Sequence, residues 1–309
     1  MKLLLIFTLA TMAGLAADPP GRTAGVKSGQ RIVMIGDSIT KGHGFGNYDD
    51  PSPLNRLYDI ATLLLQDNVP HPPPVVRVTC GWQGFDKEGK VIGTVDSLAA
   101  QMKYCIERGE LHQGDCLIYE DAGQVDIFIH PAPMRDDHDI YGRYRLALRE
   151  MILAAGSVIT REHFVLMTMF DYGPRCKWCR WETPLDDGVH TGNDIFRDTA
   201  KELGVPLIEM KKAMDAANDH LVSKGWGRVV GPDLIHPNIY GNYVMVLATL
   251  YTLGYDIRNW KLDGLARHFR HKESGGDVAT VWGFDKDPSD GEREELLTRL
   301  RSIVLETIH

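Results

Sequence analysis

The chain has 309 residues, 43% hydrophobic and 25% charged, an ordinary globular composition with ample length to bury a core. Its formal net charge of −8 argues against nucleic acid and anionic membrane surfaces as partners, and leaves neutral sugars and lipids open.

In chain order, Met1-Lys2 is followed by an apolar run from Leu3 to Ala16, too short to span a bilayer as a helix. A basic start, a short apolar stretch and small residues at its end describe a secretory signal peptide over residues 1–16, with Gly14 and Ala16 preceding a cut before Ala17. The alternative is an uncleaved anchor. No later segment reads as transmembrane, so cleavage predicts a secreted or periplasmic protein with no stable membrane insertion. Residues 17–30 are polar, Gly- and Pro-rich, and read as a flexible lead-in.

Arg31 to Ile35 is a short β-branched run ending at Gly36, the pattern of a buried strand. Leu54 to Leu65 has apolar residues at helical spacing, with Pro53 suited to the first turn. Val75 to Thr79 predicts a second strand, Thr94 to Arg108 a helix, and Cys116 to Tyr119 a third strand. The alternation continues with a helix over Tyr141 to Ala155 and a strand over Phe164 to Phe170. Next come a helix from Asn193 to Leu203 stopped by Gly204, a strand from Val205 to Ile208, and helices over Met210 to Val222 and Tyr240 to Leu253. Short strands alternating with longer helices predict an α/β fold: a three-layer α/β/α sandwich around a central, mostly parallel five-stranded sheet. Residues 31–254 make up this unit. Residues 255–309 end in a charged helix near Gly291 to Ile308 and read as a helical extension packed on it.

Two segments carry chemistry. In Gly36-Asp37-Ser38 a strand ends, a glycine permits a tight turn, and a serine follows at the carboxyl end of the strand, the edge where open α/β sheets bind ligands. Alone, Gly-Asp-Ser is also an everyday turn and helix cap. Late in the chain, Asp233-Leu234-Ile235-His236-Pro237 offers a carboxylate and an imidazole on one short turn before a helix. A triad needs an imidazole to take the serine proton and a carboxylate to hold its tautomer.

Together these segments resemble the SGNH/GDSL hydrolase family, whose first block looks like Gly36-Asp37-Ser38 and whose last looks like Asp233 and His236. The resemblance covers about residues 31–253. It implies a flavodoxin-like fold and ester hydrolysis by Ser38, His236 and Asp233. The family's second block corresponds to Thr79-Cys80-Gly81-Trp82-Gln83-Gly84. The resemblance implies that Gly84 takes the family glycine's role there, its N–H joining that of Ser38 in an oxyanion hole. The third block, Gly-x-Asn-Asp, is replaced by Ala122-Gly123-Gln124-Val125, with Glu120 and Asp121 beside it. Gln124 stands where the family has asparagine and offers the same amide donors from one methylene further away. Either Gln124 substitutes, or the hole has two donors, or the site has changed function.

Other motifs compete less well. Position 40 is Thr, so Ser38 is not in a Gly-x-Ser-x-Gly elbow. Ser38-Ile39-Thr40-Lys41 matches Ser-x-x-Lys, but no Lys-Thr-Gly follows. His43 reads as an exposed loop residue. Asp136-Asp137-His138-Asp139 reads as a solvated helix start rather than a metal cluster. The five cysteines are Cys80, Cys105, Cys116, Cys176 and Cys179. Cys176-Lys-Trp-Cys179 is a single CxxC without a second pair or nearby histidines, and fits a local disulfide or two thiols better than zinc. No metal or organic cofactor is called for. Asp37 beside the nucleophile, and Trp178 and Trp181 in the loop from Asp171 to Asp187, are candidate substrate contacts, since indole faces pack well on sugar rings. The expected substrate is a small-molecule or polysaccharide ester, foremost an acetylated carbohydrate. A lipase or lysophospholipase and a non-catalytic sugar-binding relative are the rival readings.

Overall fold

The computed structural model describes residues 26–27, 29–36, 40, 57–78, 98–120, 139–170, 184–185, 187–230, 237–262 and 289–308. Five strands form one sheet: β1 (Ile32–Gly36), β2 (Val75–Arg77), β3 (Cys116–Glu120), β4 (Phe164–Met167) and β5 (Leu207–Ile208). Their order is β2-β1-β3-β4-β5, and every pairing is parallel. Ile32 to Ile35, Cys116 to Tyr119 and Phe164 to Met167 are all buried, as strands covered on both faces must be.

Seven helices accompany the strands among the described residues: α1 (Leu57–Asn68), α2 (Leu98–Glu107), α3 (Ile140–Ala155), α4 (Gly192–Leu203), α5 (Met210–Ser223), α6 (Ile239–Thr252) and α7 (Asp290–Thr307). The chain steps from β1 out to β2, then back through β3, β4 and β5. Right-handed crossovers therefore put α1 on one face and α2, α3 and α4 on the other. The packing agrees: α2 lies on α3 and α3 on α4, while α1 and α5 both lie against α6. α6 is apolar nearly all round and buried from Ile239 to Leu250, as a helix enclosed by neighbours must be. α7 covers it, packing on α5 and α6, and its Leu296, Leu297, Leu300, Ile303 and Val304 are buried. The Tyr243 hydroxyl donates to Leu297 O at 3.2 Å, and Arg301 Nη1 donates to Trp260 O at 2.7 Å.

The amino-terminal edge of the sheet is clamped by Arg31. Its guanidinium donates to both carboxylate oxygens of Asp115, at 2.9 and 2.6 Å, and to Glu110 O at 3.1 Å. Asp115 is buried, so β1 and β3 are held in register from below. Cys105 and Cys116 are buried, and burial pushes the Cys116 thiol up to about 12.

Some boundaries differ from expectation for local reasons. β4 ends at Met167 rather than Phe170, because the N–H and C=O of Met169 are taken by the side chain of Asn193. β5 starts at Leu207 rather than Val205: the Val205 N–H closes α4 onto Ala200 O, and Pro206 has no N–H to give. Asp139 is the N-cap of α3, accepting from Gly142 N at 3.1 Å, while Asp136, Asp137 and His138 lie outside the described residues. So do residues 1–16, Cys80, Cys176 and Cys179. Among the described residues no helix is long and apolar enough to cross a membrane, and none of their His, Cys, Asp and Glu groups gathers into a metal-binding cluster.

Candidate active site

In a parallel sheet of this strand order, the loops that leave the carboxyl ends of β1 and β3 part in opposite directions and open a crevice between them. Gly36 ends β1 directly opposite Glu120 of β3, so this crevice begins where the Gly36-Asp37-Ser38 and Glu120-to-Gln124 segments leave the sheet. Asp37, Ser38, Gly84, Gln124, Trp178, Trp181, Asp233 and His236 themselves lie outside the described residues, as does His43.

The described chain on either side of Asp233 and His236 is closely built. Val230 and Pro237 face each other in an antiparallel bridge, so the described chain on the two sides of residues 231–236 meets there. Asn238 N donates to Val229 O at 2.9 Å, and the Asn238 amide donates to Arg228 O. Asn238 also caps α6, its Oδ1 accepting from Tyr240 N at 3.0 Å and Gly241 N at 3.1 Å. Gly241 lets Val229 approach: a Cβ there would stand 2.3 Å from Val229 O and 3.1 Å from Met214 Cε.

Met214 fixes which end of the sheet this is. It lies one turn into α5, whose start is tied to the carboxyl ends of β4 and β5. Lys211 N donates to Thr168 Oγ1 at 3.2 Å, and Thr168 N donates to Ile208 O at 2.9 Å. The start of α6, and with it Pro237, therefore lies at the same edge as Gly36.

One further group occupies that edge. Asp187-Gly188-Val189-His190 repeats the Asp-x-x-His spacing of Asp233 and His236, and here the pair is formed, with His190 Nδ1 2.7 Å from Asp187 Oδ2. Sequence reading passed over it, although the spacing was there to find. Asp187 accepts from Val189 N at 2.9 Å, from the His190 ring, and from His190 N at 3.0 Å. These bonds, in that order of weight, hold its carboxyl down at about 2. By contrast, a groove of about 490 Å³ lined by His220, Trp226, Glu295 and Arg299 lies at the far end of α5. Fourteen residues of helix separate that end from the start of α5, about 20 Å, so the groove is remote from this edge.

The frame is thus a doubly wound α/β fold of flavodoxin-like strand order. Several solved structures are similar to the chain. The chain is similar to LAE5, an α/β hydrolase enzyme from the metagenome of Lake Arreo, Spain, with 20% identity and a TM-score of 0.49 over 74% of this chain and 96% of that one. It is similar to Axe2, an acetylxylan esterase from Geobacillus stearothermophilus, with 16% identity and a TM-score of 0.47 over 75% of this chain and 97% of that one. It is also similar to a member of the lipolytic G-D-S-L family from Veillonella parvula, with 15% identity and a TM-score of 0.45 over 74% of this chain and 99% of that one. No protein-family model matches the sequence, and no curated protein matches it.

Proposed function

We propose that the chain is an exported serine esterase, with Ser38 as nucleophile, His236 as general base and acid, and Asp233 as the carboxylate that holds the imidazole. The observation that carries this reading is that Gly36 and Pro237, the described neighbours of the two motifs, belong to one edge of the sheet. Two peptide links tether Ser38 to Gly36 and one tethers His236 to Pro237, spans of at most about 7 and 4 Å between Cα atoms.

In this reading Ser38 attacks the ester carbonyl as His236 accepts its proton, and Asp233 stabilises the imidazolium. The developing oxyanion accepts from the amides of Ser38 and Gly84 and from the side-chain amide of Gln124. His236 then protonates the leaving alcohol. Water repeats the cycle on the acyl-enzyme and regenerates Ser38. The catalytic unit is residues 31–254, with 1–16 removed on export and 255–309 an extension that covers α6. An acetylated carbohydrate suits Trp178 and Trp181, with Asp37 beside the nucleophile as a further contact.

The test is covalent labelling with a fluorophosphonate together with hydrolysis of 4-nitrophenyl acetate and acetylated polysaccharides. Labelling should map to Ser38. Ser38→Ala and His236→Ala should each lower turnover by about 10³-fold or more in a folded protein. Wild-type turnover by Ser38→Ala would end the assignment.

A further inference from the structure

The proposed triad leaves the Asp187–His190 pair without a task, yet the pair is built as carefully as a site. Leu185 N donates to His190 O at 2.7 Å, closing the backbone on one side. On the other, Thr191 caps α4 in a reciprocal pair with Asp194, whose Oδ2 accepts from Thr191 N at 2.8 Å. The imidazole stacks on the ring of Tyr141 from α3, centroids 3.9 Å apart and planes 12° from parallel. Tyr141 is itself held by its hydroxyl bond to Asp198. Ring orientation is therefore fixed through Nδ1 and one face. Nε2 makes no hydrogen bond among the described residues, and the side chain is 38% exposed.

A purely structural role does not account for this aim. Asp187 closes the turn through the Val189 and His190 amides alone, and α4 already has its cap. With Nδ1–H directed at a carboxylate, the neutral ring presents a lone pair at Nε2, which accepts from a hydroxyl. The location is apt. Asn193, three residues on, is bound to Met169 just past β4, which places His190 at the carboxyl edge. β4 is two strand spacings from β1, about 10 Å, so an ester held near the end of β1 has this ring within reach. A net charge of −8 disfavours an anionic ligand.

We propose that His190 binds a hydroxyl of the alcohol portion of a neutral-sugar ester, with Asp187 as its positioning residue. The ester and the choice of a sugar both rest on the esterase reading; the hydroxyl-accepting Nε2 does not.

The test titrates xylotetraose and cellotetraose into the full chain by calorimetry and by NMR of the imidazole nitrogens, with 4-nitrophenyl acetate hydrolysis measured in parallel. At least one sugar should bind and shift the His190 Nε2 resonance. His190→Ala should weaken that binding by about 5- to 10-fold, the effect of one hydrogen bond, and His190→Gln, which keeps an acceptor, should restore part of it. Asp187→Asn should weaken binding and move the Nε2 resonance. Turnover of 4-nitrophenyl acetate, which has no sugar, should stay within about 2-fold in all three variants. Failure of both sugars to bind, equal binding by His190→Ala, or parallel loss of aryl-ester turnover in His190→Ala would overturn the proposal. Sugar binding through His190 in a wild-type protein that hydrolyses no ester would sustain it while defeating the esterase reading.

Discussion

The side-chain amide of Asn193 satisfies both backbone polar groups of Met169, accepting from its N–H at 2.7 Å and donating to its C=O at 2.8 Å. Asn193 is fully buried, so this one side chain does for Met169 what a neighbouring strand would do. Asn193→Leu would leave two buried backbone groups unpaired. A loss of about 2–4 kcal/mol in urea unfolding is expected, and a change below the noise of the measurement would contradict this account.

Gly241→Ala pits two effects against each other. Alanine favours a helix over glycine by about 1 kcal/mol. Its Cβ, however, would lie 2.3 Å from Val229 O and 2.9 Å from Pro237 Cβ. Because a backbone carbonyl cannot rotate aside as a side chain can, the clash should win, with a net destabilisation of about 1–3 kcal/mol. The displaced Val230–Pro237 junction should also lower esterase turnover. A stabilised Gly241→Ala protein in thermal unfolding would refute the argument.

The carboxyl of Asp187, held at about 2 in the fold, has an ordinary value near 4 in the unfolded chain. A depressed carboxylate favours the folded turn above the unfolded value and ceases to do so as pH falls through the folded one. Order in the Asp187 to His190 turn should therefore be complete above about pH 4 and decline toward pH 2. Carbon NMR of the Asp187 carboxyl would check this, and an ordinary titration near 4 would contradict it.

Gln124 is assigned to the oxyanion in the proposed mechanism. Gln124→Ala should lower kcat by about 10- to 1,000-fold with little change in KM, because the donor acts chiefly in the transition state. Gln124→Glu should be at least as harmful, since a carboxylate repels the oxyanion. Steady-state kinetics on 4-nitrophenyl acetate decide it: an unaltered kcat in Gln124→Ala removes the residue from the hole.

Much of the fold was legible from the chain. Ile32 to Ile35 is a continuous apolar run because β1 is covered on both faces, and the apolar stretch around Tyr243 to Leu250 reflects a helix enclosed on all sides. Strand order was not legible by the same means, because long-range partners fix it: Arg31 and Asp115 lie 84 residues apart, and nothing local to either announces the other. The ends of β4 and β5 were misjudged because a side chain, Asn193, and an imino acid, Pro206, decide them. At the site, Gly36-Asp37-Ser38 and Asp233 to His236 stood out by family resemblance. Asp187 and His190 share the spacing of the latter, but stacking on Tyr141, 49 positions earlier, is invisible in a linear reading.

The cover that α7 gives α6 has a consequence for the order of events at the ribosome. When Thr252 emerges, the strands and α1 to α5 have all been made, yet the flank of α6 that meets α7 is still bare. The helix that leads out of the His236 loop thus waits, exposed, for residues synthesised some forty positions later. Nascent chains stalled before Asp290 should be captured by chaperones that bind apolar segments, and release from them should coincide with the arrival of α7.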